Sequence, residues 1–331
     1  MHASAMKLHR GVASVVCVFA FLAVAGCANG PGVAGAFDRD YAVTGHTRLE
    51  VSNASGDVNI TGSADGKVHV HGEVRVSGSG AQDEQKRLSE IQSNPPVEQT
   101  PDGVRVGRDV IRLRSASVSY TIEVPRDCEV SSTVISGSQT VRGVRGPIKL
   151  QSTSGSISAQ DIDGDAQLAS LSGSVTASNM GDAVRASGAS GAITISGAKG
   201  DVRVNEESGK VQISNPGGRV EISLANGPVN VQGASGDVKI HGANGPFSVQ
   251  GSPAATSYWD LKNASGGIDI AVPAGANFHL LAESTSGEIR ADIPIIIEEQ
   301  GKHTLRAQIG TGGGRVEAHT VSGTVHLGPS N

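Results

Sequence analysis

Aliphatic and polar residues alternate in short runs along most of the chain, and from Gly137 to Gly245 the alternation keeps time. A glycine is followed two and four residues later by an aliphatic side chain, and the unit recurs every nine residues. The glycines are Gly146, Gly155, Gly164, Gly173, Gly191, Gly200, Gly209, Gly218, Gly227 and Gly236, with one displaced to Gly181. Pairs such as Ile193/Ile195, Val202/Val204, Val211/Ile213 and Val220/Ile222 fill the aliphatic positions. Period two means strands with one buried face, and self-similarity at a fixed short period means a repeat array.

The residue before each glycine sets a longer period. Ser136, Ser154, Ser172, Ser190, Ser208, Asn226 and Asn244 lie 18 apart, whereas Arg145, Asp163, Lys199 and Gly217 occupy the intervening units. The fold class expected is therefore all-β: a flattened parallel β-solenoid of about 18 residues per coil, two strands and two turns each, with atypical capping strands at both ends. In this register the outward columns Asp201–Arg219–Asp237 and Arg203–Glu221–Lys239 alternate in sign on one face. The other face carries Ser156, Ser158, Ser174, Thr176, Thr194, Asn230 and Ser248, interrupted by Lys210. These uncharged residues are the candidate binding surface.

The flanks keep the alternation less strictly. Val58/Ile60, Val68/Val70 and Val74/Val76 read as strands, whereas Ala81–Gln92 reads as a short helix with Leu88 and Ile91 inward, stopped by Pro95-Pro96. Pro101-Asp102-Gly103 reads as a turn. Strand units resume at Ile268/Ile270, Ile289, Val316 and Val325.

The amino-terminal residues speak for an address. Lys7 and Arg10 precede an apolar run to Gly26 too short to span a bilayer. Val24-Ala25-Gly26-Cys27 resembles the bacterial lipobox. That resemblance implies cleavage between Gly26 and Cys27 and a lipid on the Cys27 thiol, with multiple acyl chains giving a stable anchor. Ala28, not Asp, follows the cysteine, so in a cell with two membranes the outer one is expected. The organisation expected is a lipoprotein signal peptide (1–26), a lipidated cysteine and flexible tether (27–45), N-terminal strands with a helical insertion (46–130), regular repeats (131–252) and a C-terminal β cap (253–331). Cys128 is expected to be an idle, buried thiol.

Composition narrows the chemistry. Nine aromatics in 331 residues, against 45 glycines, leave a thin aliphatic core and no base-stacking platform. A net charge of −5 argues against nucleic acid as a partner. His69 and His71 share one strand face as half of a metal site, without an acidic partner evident nearby. Gly-Asp corners at Asp57, Asp165, Asp201 and Asp237 lack the G-G-x-G-x-D of calcium-binding coils, Gly310–Gly314 lacks the Gly-Lys-Ser/Thr of a phosphate loop, and no G-x-S-x-G elbow occurs. No cofactor is called for, and no catalytic residue is assigned.

Val51-Ser52-Asn53-Ala54-Ser55-Gly56-Asp57-Val58, Val118-Ser119-Tyr120-Thr121-Ile122-Glu123-Val124-Pro125, the Ser-Gly-x-Val/Ile units and Gly267-Ile268-Asp269-Ile270-Ala271-Val272-Pro273 resemble the bacterial putative-adhesin family of β-strand repeats, over roughly residues 45–328. The resemblance implies a cell-envelope repeat protein without defined catalytic residues. The function expected is a non-catalytic envelope lipoprotein that binds a polysaccharide or an envelope protein in adhesion or scaffolding. The alternatives are an envelope-stress regulatory partner and a polysaccharide-active β-helix enzyme.

Overall fold

Valines and isoleucines 18 residues apart lie directly over one another. Val184, Val202, Val220 and Val238 occupy consecutive parallel rungs of one sheet, and Ile193, Val211, Val229 and Phe247 those of the other. This is a computed structural model, and it describes residues 32–78, 80–107 and 115–330. The signal peptide, Gly26 and Cys27 lie outside the described residues. Each regular coil has two strands, as in Ile148–Ser154 and Ile157–Ile162. Their inward side chains, among them Leu150, Ile157, Ala159 and Leu168, are almost wholly buried between the two sheets. The flattened parallel β-solenoid expected from the nine-residue timing is the architecture found.

Two devices hold the Ser-Gly corner. Stacked corner glycines approach so closely that a Cβ on Gly227, whose φ is +133°, would lie 1.9 Å from the carbonyl oxygen of Gly209. Only glycine fits both that contact and that backbone angle. In several coils the inward position just before the corner is polar and caps a corner carbonyl. Ser170 Oγ donates to Gly155 O (3.1 Å), Asn263 Nδ2 to Gly245 O (2.7 Å) and Ser284 Oγ to Gly323 O (2.8 Å). Buried carbonyls that would be orphaned at a bend are thereby paired.

At both ends the coils stack out of sequence order. Arg48–Ser55 lies between Gly103–Val106 and Glu129–Ser136, all parallel, so the first coil in sequence is the second in space. Similarly, Gly314–Ser322 is inserted between Tyr258–Ser265 and Phe278–Ser286, and Val325–Pro329 between Ile268–Val272 and Ile289–Ala291. Antiparallel strands then cover the outermost coils. Lys67–Val76 and Val33–Ala42 extend one sheet at the N-terminal end, Val97–Thr100 extends the other, and Thr304–Ile309 with Ile296–Gln300 closes the C-terminal end. Such coverage protects solenoid ends from edge-to-edge association.

The helix forms at Ala81–Ser93 with Leu88 and Ile91 buried, as its periodicity predicts. The tether reading is corrected in part: Val33–Ala42 is a ten-residue strand antiparallel to Lys67–Val76. Its small residues are what permit it to pack. Phe37 is buried over Gly72, where a Cβ would lie 2.3 Å from the ring, and meets Tyr120 edge-on at 6.4 Å between ring centroids. Gly35 leaves room for Leu88 of the helix, and Gln92 Nε2 donates to Ala36 O (3.0 Å).

Candidate functional site

Every second residue of a strand faces outward, so in-register stacking turns the sequence candidates into columns. Ser158, Thr176, Thr194, Gln212, Asn230 and Ser248 follow one another on consecutive coils of one sheet. At a rung spacing of about 4.8 Å the column is roughly 24 Å long. Ser156 and Ser174 stand at the corner beside it and are exposed. A second column, unnoticed in the sequence reading, runs parallel: Gln160, Ser178, Ser196, Ser214, Gln232 and Gln250. The signal for it was present, since each member is two residues beyond a member of the first. Together the columns present hydroxyls and amides, groups that both donate and accept, with no formal charge in either.

The opposite face is built from ion pairs. Arg203 donates to Glu221 Oε2 (2.7 Å), Lys239 Nζ lies 3.7 Å from Glu221 Oε1, and Arg219 donates to Asp237 Oδ2 (3.0 Å). The Arg203 hydrogen bond holds the Glu221 carboxyl below its ordinary range. Exposed pairs of this kind contribute little individually, but opposite charges in register penalise a slipped coil.

Against this geometry the profile of the family described as Toastrack DUF4097 matches residues 46–328. The chain belongs to the Toastrack DUF4097 family. Among curated proteins none matches it. Solved structures similar to this Toastrack chain include a putative lipid binding protein from Parabacteroides distasonis, at 11% identity and a TM-score of 0.37, covering 92% of this chain and 98% of that one. A putative adhesin from the same organism has 13% identity and a TM-score of 0.28, covering 88% and 97%. A putative adhesin from Bacteroides fragilis has 10% identity and a TM-score of 0.26, covering 89% and 97%.

Elsewhere on the Toastrack body, the residues considered for metal chemistry are engaged otherwise. His69 and His71 do have acidic partners, which correct the sequence reading. The imidazole of His69 donates to Asp40 Oδ1 (2.7 Å) and Asp65 Oδ2 (2.5 Å), and His71 donates to Asp38 Oδ1 (2.7 Å). Asp38 and Asp40 belong to the strand read as tether, which is why the pairing was invisible. Among the described residues no group of three or more His, Cys, Asp or Glu is disposed to hold a metal ion. Corner aspartates receive backbone amides: Asp57 Oδ1 from Ser138 (2.8 Å), Asp201 Oδ1 from Arg219 (2.9 Å) and Asp237 Oδ1 from Tyr258 (3.0 Å). Gly310–Gly314 is a turn, with φ of +59° at Gly310 and +78° at Gly312, tied by Thr311 N donating to Asn277 Oδ1 (2.8 Å).

Trp259 is fully buried and donates to Gly236 O (2.9 Å), whereas its neighbour Tyr258 faces outward over Arg315 and donates to Glu317. Adjacent strand residues point to opposite sides, so the two form no stacking pair. Cys128 is a buried free thiol, and burial pushes it up to about 12, far from a reactive thiolate.

The double hydrogen bond of His69 makes the N-terminal cap pH-sensitive. The Asp65 bond first, then that to Asp40, raises the imidazole above its ordinary 6.5. Its stabilising contribution is therefore complete below about pH 6.5 and lost as pH rises through the folded value. The urea midpoint is expected to fall between about pH 6 and pH 8.5, and to fall less in His69→Gln. Equal slopes in both proteins would remove this assignment.

Proposed function

We propose that the chain is a non-catalytic cell-envelope lipoprotein whose solenoid presents a repetitive surface for adhesion or envelope scaffolding. The pair of uncharged columns headed by Ser158 and Gln160 carries the reading. Parallel rungs of hydroxyls and amides about 4.8 Å apart offer repeated, neutral hydrogen bonding to an extended polymer or to another protein surface. The mechanism is binding, not turnover. Cys27 supplies the anchor in this reading, with the outer membrane as its destination in a two-membrane cell. No described helix is long and apolar enough to cross a membrane.

Two experiments test it. Cys27→Ala is expected to move the protein from the membrane fraction to the soluble one, and retention in the membrane would remove the lipid anchor. A pull-down from intact envelopes with residues 28–331 is expected to capture a glycan or matrix ligand. Because the face is uncharged, capture should survive about 0.5 M salt, where the Debye length is only a few ångströms. Recovery of a membrane sensor instead would make the chain a regulatory partner.

A further inference from the structure

The polar caps of the Ser-Gly corner are interrupted at Val134, at Ser152, whose buried Oγ has no hydrogen-bond partner, and then over a longer stretch. Along the inward corner column Ser152 and Ser170 are followed by Gly188, Glu206, Leu224 and Gly242 before Asn263 resumes the rule. Two glycines leave steps in the wall. The Glu206 carboxyl folds over Gly188, where a Cβ would lie 2.2 Å from Oε2, and the Phe247 ring fills the space at Gly242. Beside them opens a recess of about 550 Å³, lined by Ser187, Asn205, Glu206, Ser223, Leu224 and His241 among others. The recess is shallow and open to solvent.

Glu206 is the telling residue. It is 5% exposed, and its Oε1 is buried without a hydrogen-bond partner. A repeat protein that breaks its own rule to bury an unpaired carboxyl oxygen loses stability, and such local inconsistencies mark functional positions. Burial raises the Glu206 carboxyl above its ordinary range, against the Ser208 amide that lowers it and with Glu207 adding to the rise. The protonated form both donates and accepts.

We propose that this recess binds a saccharide unit, whose hydroxyls pair with Glu206, Ser187, Asn205, Ser223 and His241. Sugar hydroxyls donate and accept as this mixed lining requires, and the C–H face of a pyranose has the exposed Ala225 to lie on. His241 is fixed for the purpose, since its Nε2 donates to Asp260 Oδ2 (3.0 Å). A metal cation or an organic amine would call for several carboxylates turned into the recess; of the two that line it, Glu206 is buried and Glu207 is exposed to solvent. The recess opens on the sheet that carries the ion pairs, away from the Ser158 and Gln160 columns, so it stands independently of the proposed adhesion face.

The test is saturation-transfer NMR on the purified full chain in a sugar-free detergent such as lauryldimethylamine oxide, with glucose, galactose, mannose and N-acetylglucosamine as probes. At least one is expected to receive saturation on its ring protons with a dissociation constant in the millimolar range. Ser223→Trp, an outward position whose bulk closes the recess without entering the core, should abolish transfer. Glu206→Gln, isosteric, should weaken binding about five- to tenfold. Lys86→Trp, at an exposed position of the helix Ala81–Ser93 away from both surfaces, should leave transfer unchanged, and circular dichroism melting should show all three variants folded. Absence of transfer to every probe, transfer that survives Ser223→Trp, or a Ser223→Trp-sensitive signal from 2-aminoethanol in place of the sugars would each overturn the proposal.

Discussion

Val220→Asp is expected to unfold the solenoid, whereas Glu221→Asp one residue later is expected to leave it nearly unchanged. Val220 is fully buried and lies in register between Val202 and Val238, with no donor facing it from either rung. An unpaired charge there costs about 3–5 kcal/mol, a large part of a typical folding free energy of 5–15 kcal/mol. Glu221 points outward to Arg203 and Lys239, and a shortened carboxylate keeps its charge, so the change should stay within about 0.5 kcal/mol. Urea unfolding followed by circular dichroism reads both. Comparable losses would overturn the inward–outward assignment of the strand Val220–Asn226.

Deleting residues 314–331 should do more than shorten the stack by one coil. Val316, Ala318, Val325 and Leu327 are buried between the coil 258–272 and the coil 278–291 that closes the end. Their loss removes on the order of 5 kcal/mol of apolar burial and leaves Phe278–Ser286 without its parallel neighbour. Hydrogen exchange is expected to show residues 278–309 unprotected in the truncated chain, although none of them has been removed. Preserved protection over that segment would mean that the terminal coil is an appendage.

Much of this architecture was legible because a solenoid repeats its instructions. Ser154, Ser172 and Ser190, spaced 18 apart, specify the register, and that register alone places Arg203 over Glu221 and Thr176 over Thr194. Timing reports neighbours only when they are also neighbours in sequence. Hence it missed the displaced coils at both ends, where partners are separated by 81 residues (Leu49 and Val130) or 57 (Trp259 and Val316). Val33–Ala42 was missed for a different reason. Its strand character comes from Gly72 accommodating Phe37 and from Asp38 and Asp40 meeting two histidines, contacts that local pattern does not contain. The Glu206 recess was hidden because aliphatic marks alone defined the repeat. The inward polar column acquires meaning only once the carbonyls it caps are located, and Gly188 and Glu206 then appear as departures from it.

The insertion of Gly314–Pro329 between two older layers also decides how the body bears load. A strand at the end of an ordinary stack is held along one side, and tension on its free end opens that single ladder bond by bond. Here Val325–Pro329 is gripped along both sides, by Ile268–Val272 and Ile289–Ala291. Tension applied at the C-terminal end therefore meets two ladders together, and the molecule resists extraction at that end more strongly than its edge strands would suggest.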